Sequence, residues 1–313
     1  MEGKTRIAGI VAAICIVIAI VIVVPSYFIY RNYRENERYD FSKVEEGALT
    51  PNDNYQNILI AYNDYGTFET MKSIDVKSDI YKWGANLTSI YAYMEDFADP
   101  KVLTGHVVDS YIFDDTVEML EVSWNITDRE SAKEVIDKTI TYGYQAKYRY
   151  LLEDEYVQQL IAAIQEDYGD EFSYEDALEI DEEYFEAHNI PTKFFYTVKG
   201  AACAYCRFSD DALIGYDYLR LVRMSYLAYQ CGYITREECQ QLLYNMETDL
   251  QNRYSSYSEI HECYYYGEMV RLGRSFDKAA EIVGDIETAI QTMSNSNYYN
   301  NIDKYYKNKI DEI

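Results

Sequence analysis

The spacing Ser/Thr-x-x-Glu/Asp recurs at Thr127–Glu130, Ser173–Asp176, Thr235–Glu238 and Ser256–Glu259. A hydroxyl and a carboxyl three residues apart can each close a backbone N–H at a helix start, so each pair marks a predicted N-terminus. Residues 78–95, 144–166, 209–231 and 276–292 also repeat apolar side chains at helical intervals. Only 14 Gly and 4 Pro punctuate 313 residues, too few for the tight turns of a β-sandwich or barrel. The expected fold class is all-α: an N-terminal single transmembrane helix followed by a compact multi-helix domain. Val107, Val108, Tyr111 and Ile112 suit either a short helix or a strand, and no internal repeat stands out.

The transmembrane expectation rests on Ile7–Val24, 18 residues without a charged or strongly polar side chain. At ~1.5 Å per residue this covers ~27 Å, and continuing to Tyr30 exceeds the ~30 Å of a hydrocarbon core. Tyr27, Phe28 and Tyr30 are placed as interfacial aromatics, with Arg31 and Arg34 behind them. The run is long for a cleaved signal peptide, and no small-x-small site follows it. The organisation read from this is a short tail at 1–6, an anchor in the lipid bilayer at 7–30, a polar juxtamembrane linker at 31–53, a helical domain at 54–293 and a polar tail at 294–313, expected to be loosely packed. Both flanks of the anchor are basic, and the excess after it slightly favours a cytoplasmic domain at the cell membrane. Outside the anchor, an odd number of cysteines without framework spacing also suits a reducing compartment.

Fifty-four acidic against 28 basic residues give a formal net charge of −26, which repels nucleic-acid phosphates. Between Glu153 and Glu186 stand 14 Asp/Glu and no Lys or Arg. This run is a solvated acidic face or a docking surface for a basic partner; it lacks the ligand spacing of a calcium loop. The 36 tyrosines add rings that pack like hydrophobes while keeping a hydroxyl, so an acidic, Tyr-rich interaction surface is expected.

On a helical wheel of residues 209–231, Ser209 stands as N-cap with Asp210 and Asp211 in the first turn. Leu213, Ile214, Leu221, Met224 and Ala228 make an apolar arc. Asp217 falls in the middle of it, Arg220 at its flank, and Arg223 and Gln230 further round, where water is expected. A buried carboxylate needs a partner, and Arg220 is the local candidate, with further donors from other helices. Either the pair ties this helix to its neighbours, or Asp217 is an acid/base or cation ligand and Arg220 an anion clamp lining a pocket. No His or nucleophile is spaced for a triad beside them, which favours the structural role.

The stretches "KWGANLTSIYAY" (82–93), "SWNITDRESAKEVIDKTITYGYQAKY" (123–148), "GYDYLRLVRMSYLAYQCGYITREEC" (215–239) and "LQNRYSSYSEIHECYYYGE" (250–268) resemble the bacterial family catalogued as domain of unknown function 1266, over roughly 78–272. The resemblance places Trp124 and Ile126 in a Trp-x-Ile motif, Asp217 and Arg220 in a Trp-Asp-x-x-Arg motif, and Gly232, Tyr233 and Ile234 in a Gly-aromatic-Ile turn; Gly267 closes a later segment. Tyr216 and Tyr257 stand where that family has Trp. The resemblance implies a helical domain and no particular chemistry.

Cys203 and Cys206 are candidate metal or redox thiols, i,i+3 on one helix face, with Cys231, Cys239, His261 and Cys263 as further ligand types. Without a second C-x-x-C or a βαβ context, buried packing is the expected role. His106, His188 and His261 are scattered and form no H-E-x-x-H, and no Gly-rich phosphate loop occurs, so no cofactor is expected. A membrane-anchored interaction or scaffold protein is the leading expectation. The alternatives are an enzyme organised by Asp217 and Arg220, and a thiol or metal sensor using Cys203 and Cys206.

Overall fold

The computed structural model describes residues 38–62, 79–94 and 110–307. Among them there is no strand, as expected for an all-α chain. The chain divides into two units, Met1–Val44 and Glu45–Ile313. In the first, the described residues make one 3-10 turn, Phe41–Lys43, whose amides are closed by Asp40. The anchor expected at 7–30 lies outside the described residues, as do His106, Val107 and Val108. Among the described residues no helix is long and apolar enough to cross a membrane.

The described residues of the second unit form helices joined by turns and short loops. In chain order its helices are α1 (Tyr55–Ile58), α2 (Asp79–Leu87), α3 (Ser89–Met94), α4 (Ser110–Trp124), α5 (Arg129–Tyr142), α6 (Tyr144–Leu151), α7 (Glu155–Tyr168), α8 (Tyr174–Glu179), α9 (Glu182–Ala187), α10 (Phe195–Phe208), α11 (Ile214–Gln230), α12 (Arg236–Arg253), α13 (Tyr257–Leu272), α14 (Phe276–Asn295) and α15 (Tyr298–Ile302). Tyr111 and Ile112, ambiguous in the sequence, belong to α4.

Two of the four predicted capping pairs form reciprocally, Ser173 with Asp176 and Thr235 with Glu238. Ser256 caps α13, but the Glu259 carboxylate returns to the Ser255 N–H instead. At α5 the box is one residue later than predicted: Asp128 and Ser131 close it, because Ile126 is fully buried and Asn125 turns the chain at φ +57°. The 144–166 stretch is two helices, parted before Asp154, which caps α7.

Ser209 is not an N-cap. It ends α10 at φ +57° and opens a 3-10 turn, and α11 starts only at Ile214. Donors at the start of α11 are satisfied from elsewhere in the fold. The Gln145 Oε1 accepts from the Leu213 N–H at 2.8 Å, and the Tyr254 hydroxyl accepts from the Gly215 N–H at 3.0 Å. In the tail after residue 293, expected to be loosely packed, some of the described residues are packed into the core. Tyr299, Ile302 and Tyr306 are buried, and Asp303 accepts from the Tyr257 N–H at 2.9 Å.

The core is built around α11, which packs against α2, α4, α5, α6, α12 and α13. Sixteen of its 17 residues are buried, and the exception is Arg220. A helix enclosed on every side has no wet face, so Arg223 and Gln230, expected at water, are 7% and 1% exposed. Tyrosine is core material here: Tyr81, Tyr148, Tyr216, Tyr218, Tyr226 and Tyr257 are among the largest fully buried side chains. Four of these hydroxyls reach inward acceptors: Tyr218 donates to Asp249 at 3.1 Å, Tyr148 to the Ser209 carbonyl at 2.7 Å, Tyr216 to Glu268 and Tyr226 to the Tyr81 carbonyl.

Candidate functional site

Asp217 is fully buried, and its partner is not Arg220. The Tyr144 N–H donates to Oδ1 and the Gln145 N–H to Oδ2, both at 2.8 Å. These are the first amides of α6, whose own N-cap position, Gly143, supplies no capping side chain. An acid on the central helix therefore caps a neighbouring helix, placing its charge at the positive end of that helix's dipole. Burial pushes the carboxyl up to about 6, while the two amide bonds and the charges of Arg220 and Lys147 pull it down. The side chain has no exposed oxygen left for a substrate. Gly143 is what admits it: a Cβ there would lie 2.5 Å from the Asp217 Cγ.

Arg220 lies instead over aromatic faces, 5.2 Å from the Tyr216 ring centroid and 5.5 Å from that of Tyr144. The Tyr216 hydroxyl donates to Glu268 at 2.9 Å, and the Arg271 Nε donates to both Glu268 oxygens at 2.9 and 3.1 Å. The Tyr216 ring rests on Gly267, where a Cβ would come within 2.8 Å of the Tyr216 Cβ. Asp217 and Arg220 thus belong to one polar-aromatic cluster joining α6, α11 and α13, but they do not form a pair.

The other candidate residues are dispersed. Trp124 closes α4, Ile126 fills the core beside it, Gly232 turns the chain at φ +74° between α11 and α12, and Ile234 is buried behind that turn. Cys203 is buried and Cys206 half-buried, and burial pushes both thiols up to about 12, leaving them protonated at neutral pH. Among the described residues no group of three or more His, Cys, Asp or Glu is placed to hold a metal ion. His261 is sealed between the Tyr299 hydroxyl at 3.0 Å and the Leu87 carbonyl at 2.9 Å, and burial lowers it to about 4. His188 rests on the Tyr184 carbonyl at 2.8 Å.

Two features escaped the sequence reading. Arg129 donates to both Glu238 oxygens, at 2.7 and 2.9 Å, and to the Tyr233 carbonyl at 3.0 Å, clamping the start of α5 to that of α12. The residues lie 109 apart, so no local spacing announces them. A polar cleft of about 690 Å³ opens beside Arg207, Arg253, Tyr254 and Asn252. Both of its arginines are already paired, Arg207 with Glu262 and Arg253 with Asp249 and Asp211.

The model of the family described as "Protein of unknown function (DUF1266)" matches residues 119–307, more than half of the chain and the part that contains α5 through α15. No curated protein and no solved structure matches. The cluster joining α6, α11 and α13 lies wholly inside the matched segment, and the chain belongs to the DUF1266 family.

Proposed function

We propose that this chain is a membrane-tethered interaction module whose acidic helices dock a basic region of a partner protein. One observation carries the reading. Of the 14 carboxylates between Glu153 and Glu186, 12 are exposed, spread over α7, α8, α9 and the turns between them. Such a surface attracts a basic partner at long range and selects against acidic ones. Residues 7–30 supply the tether, and the basic residues after them favour the cytoplasmic side of the cell membrane. The geometry of Asp217 supports a binding role over a catalytic one, since the carboxylate that most resembled an acid/base is committed to a helix terminus.

The test uses the full chain in lipid nanodiscs, titrated with a fluorescent oligo-arginine peptide. Neutralising Glu166, Asp167, Asp170 and Glu171 to Gln or Asn is expected to weaken binding about tenfold and to flatten its salt dependence. Neutralising four exposed acids elsewhere, Glu134, Asp277, Glu281 and Asp285, is expected to leave binding unchanged. Equal losses in both sets would reduce the effect to net charge and overturn the docking surface. For the tether, Glu166→Cys in intact cells is expected to resist an impermeant thiol reagent, and rapid labelling would place the domain outside.

A further inference from the structure

Five arginines of the helical unit are partly buried and ion-paired: Arg129 with Glu238, Arg149 with Asp53 and Asp211, Arg207 with Glu262, Arg253 with Asp211 and Asp249, and Arg271 with Glu268. Arg220 and Arg223, one turn apart on α11, break that pattern. Neither forms an ion pair with a carboxylate among the described residues, although Asp217 and Glu268 lie within electrostatic reach of Arg220, in a chain with 54 acidic against 28 basic side chains.

Arg223 is 7% exposed, and its Nε is buried with no acceptor. Its only hydrogen bond among the described residues runs from an Nη to the Met119 sulfur at 3.5 Å, a weak acceptor. Its guanidinium carbon lies 4.0 Å from the centroid of the Tyr91 ring. Arg220 is the single residue of α11 that is only partly buried. Burial raises the Tyr91 hydroxyl, and the charges of Arg223 and then Arg220 draw it back, so both guanidinium groups lie within electrostatic reach of that oxygen.

Nearby carboxylates are already engaged. Asp217 holds the α6 amides, and Glu268 holds Arg271 and the Tyr216 hydroxyl. A buried guanidinium with an unused donor is costly, and an apolar side chain of similar size would satisfy packing better. The arrangement makes sense when an anion brings the missing acceptors.

We infer that Arg220 and Arg223 form a binding site for a phosphate group, the two guanidinium groups acting as its donors beside the rings of Tyr91, Tyr144 and Tyr216. Two guanidinium groups match the charge of a phosphate monoester, roughly −1.5 to −2 at neutral pH, better than that of a single carboxylate. The phosphate can come from a soluble ester or from the headgroup of an anionic phospholipid, and the chemistry of recognition is the same.

The experiment measures the melting temperature of the full chain in phosphatidylcholine nanodiscs as inorganic phosphate replaces chloride at constant ionic strength. A second series replaces part of the phosphatidylcholine by phosphatidic acid. A rise in the first series that saturates assigns the site to soluble phosphate, and a rise only in the second assigns it to a lipid headgroup. In either case Arg220→Gln and Arg223→Met are expected to abolish the response, and Arg220→Lys to weaken it about tenfold, because an ammonium lacks the planar fork. Arg220→Gln alters a partly exposed side chain and remains decisive if Arg223→Met does not fold. No rise in either series, or the same rise in the wild type and Arg220→Gln, overturns the proposal.

Discussion

The Asp217 carboxylate occupies the space that a side chain on Gly143 would fill. Acid and glycine are two parts of one joint, through which the central helix α11 caps the start of α6.

Gly143→Ala is therefore expected to be far from neutral. The new methyl group must displace the carboxylate from both amides, for a loss of about 3 kcal/mol, within the range for overpacking combined with lost hydrogen bonds. Chemical denaturation checks this, and a loss below ~1 kcal/mol would show that the joint can slide open.

Asp217→Ala leaves two buried N–H groups without acceptors, at a cost of about 2–5 kcal/mol. Arg220→Gln is expected to cost much less, and the coupling in the double mutant should stay below about 1 kcal/mol. Breaking a true buried ion pair would cost about 3–5 kcal/mol and couple the two sites strongly, so the cycle separates the two arrangements.

Asp217 and His261 give opposite pH dependences. The histidine sits at about 4 in the fold against 6.5 when unfolded. On acidification the unfolded chain binds the proton first, and this part of the stability, complete above pH 6.5, is lost as the pH falls toward 4. Asp217 is raised from 3.8 to about 6 in the fold, so its contribution is greatest below about pH 3.8 and is lost as the pH rises through 6. Denaturation midpoints from pH 4 to 7 should therefore change steeply with pH in opposite senses in His261→Gln and Asp217→Asn, each variant lacking one of the two slopes. Parallel curves would contradict the assignment.

Glu238 accepts from Arg129 and also from the Thr235 N–H at the start of its own helix. Glu238→Ala removes both and strands a guanidinium that is only partly exposed, for an expected loss of about 3–5 kcal/mol. Thr235→Ala, which removes only the hydroxyl cap, should cost about 1 kcal/mol. Comparable losses in the two variants would mean that the clamp between α5 and α12 contributes little.

The element content was largely legible because helix starts are local. Thr235 with Glu238 and Ser173 with Asp176 meet across three residues of their own chain, and their spacing is sufficient warning. Boundaries moved where a neighbour intervened. Ser209 looked like a cap, but the start of α11 is satisfied by Gln145 and Tyr254, residues 68 and 39 positions away.

What the amino-acid order alone determined is the helical class, the apolar run at 7–24, the acidic stretch between Glu153 and Glu186, and the burial of Asp217 in an apolar arc. Periodicity and composition are properties of one segment and need no knowledge of its neighbours. The tertiary structure decided who satisfies whom. It gave Asp217 to the amides of α6 instead of to Arg220, enclosed Arg223 and Gln230 on a side that a lone helix would show to water, and joined Arg129 to Glu238. A buried polar group takes whichever partner the packing brings within about 3 Å, and sequence separation places no limit on that choice.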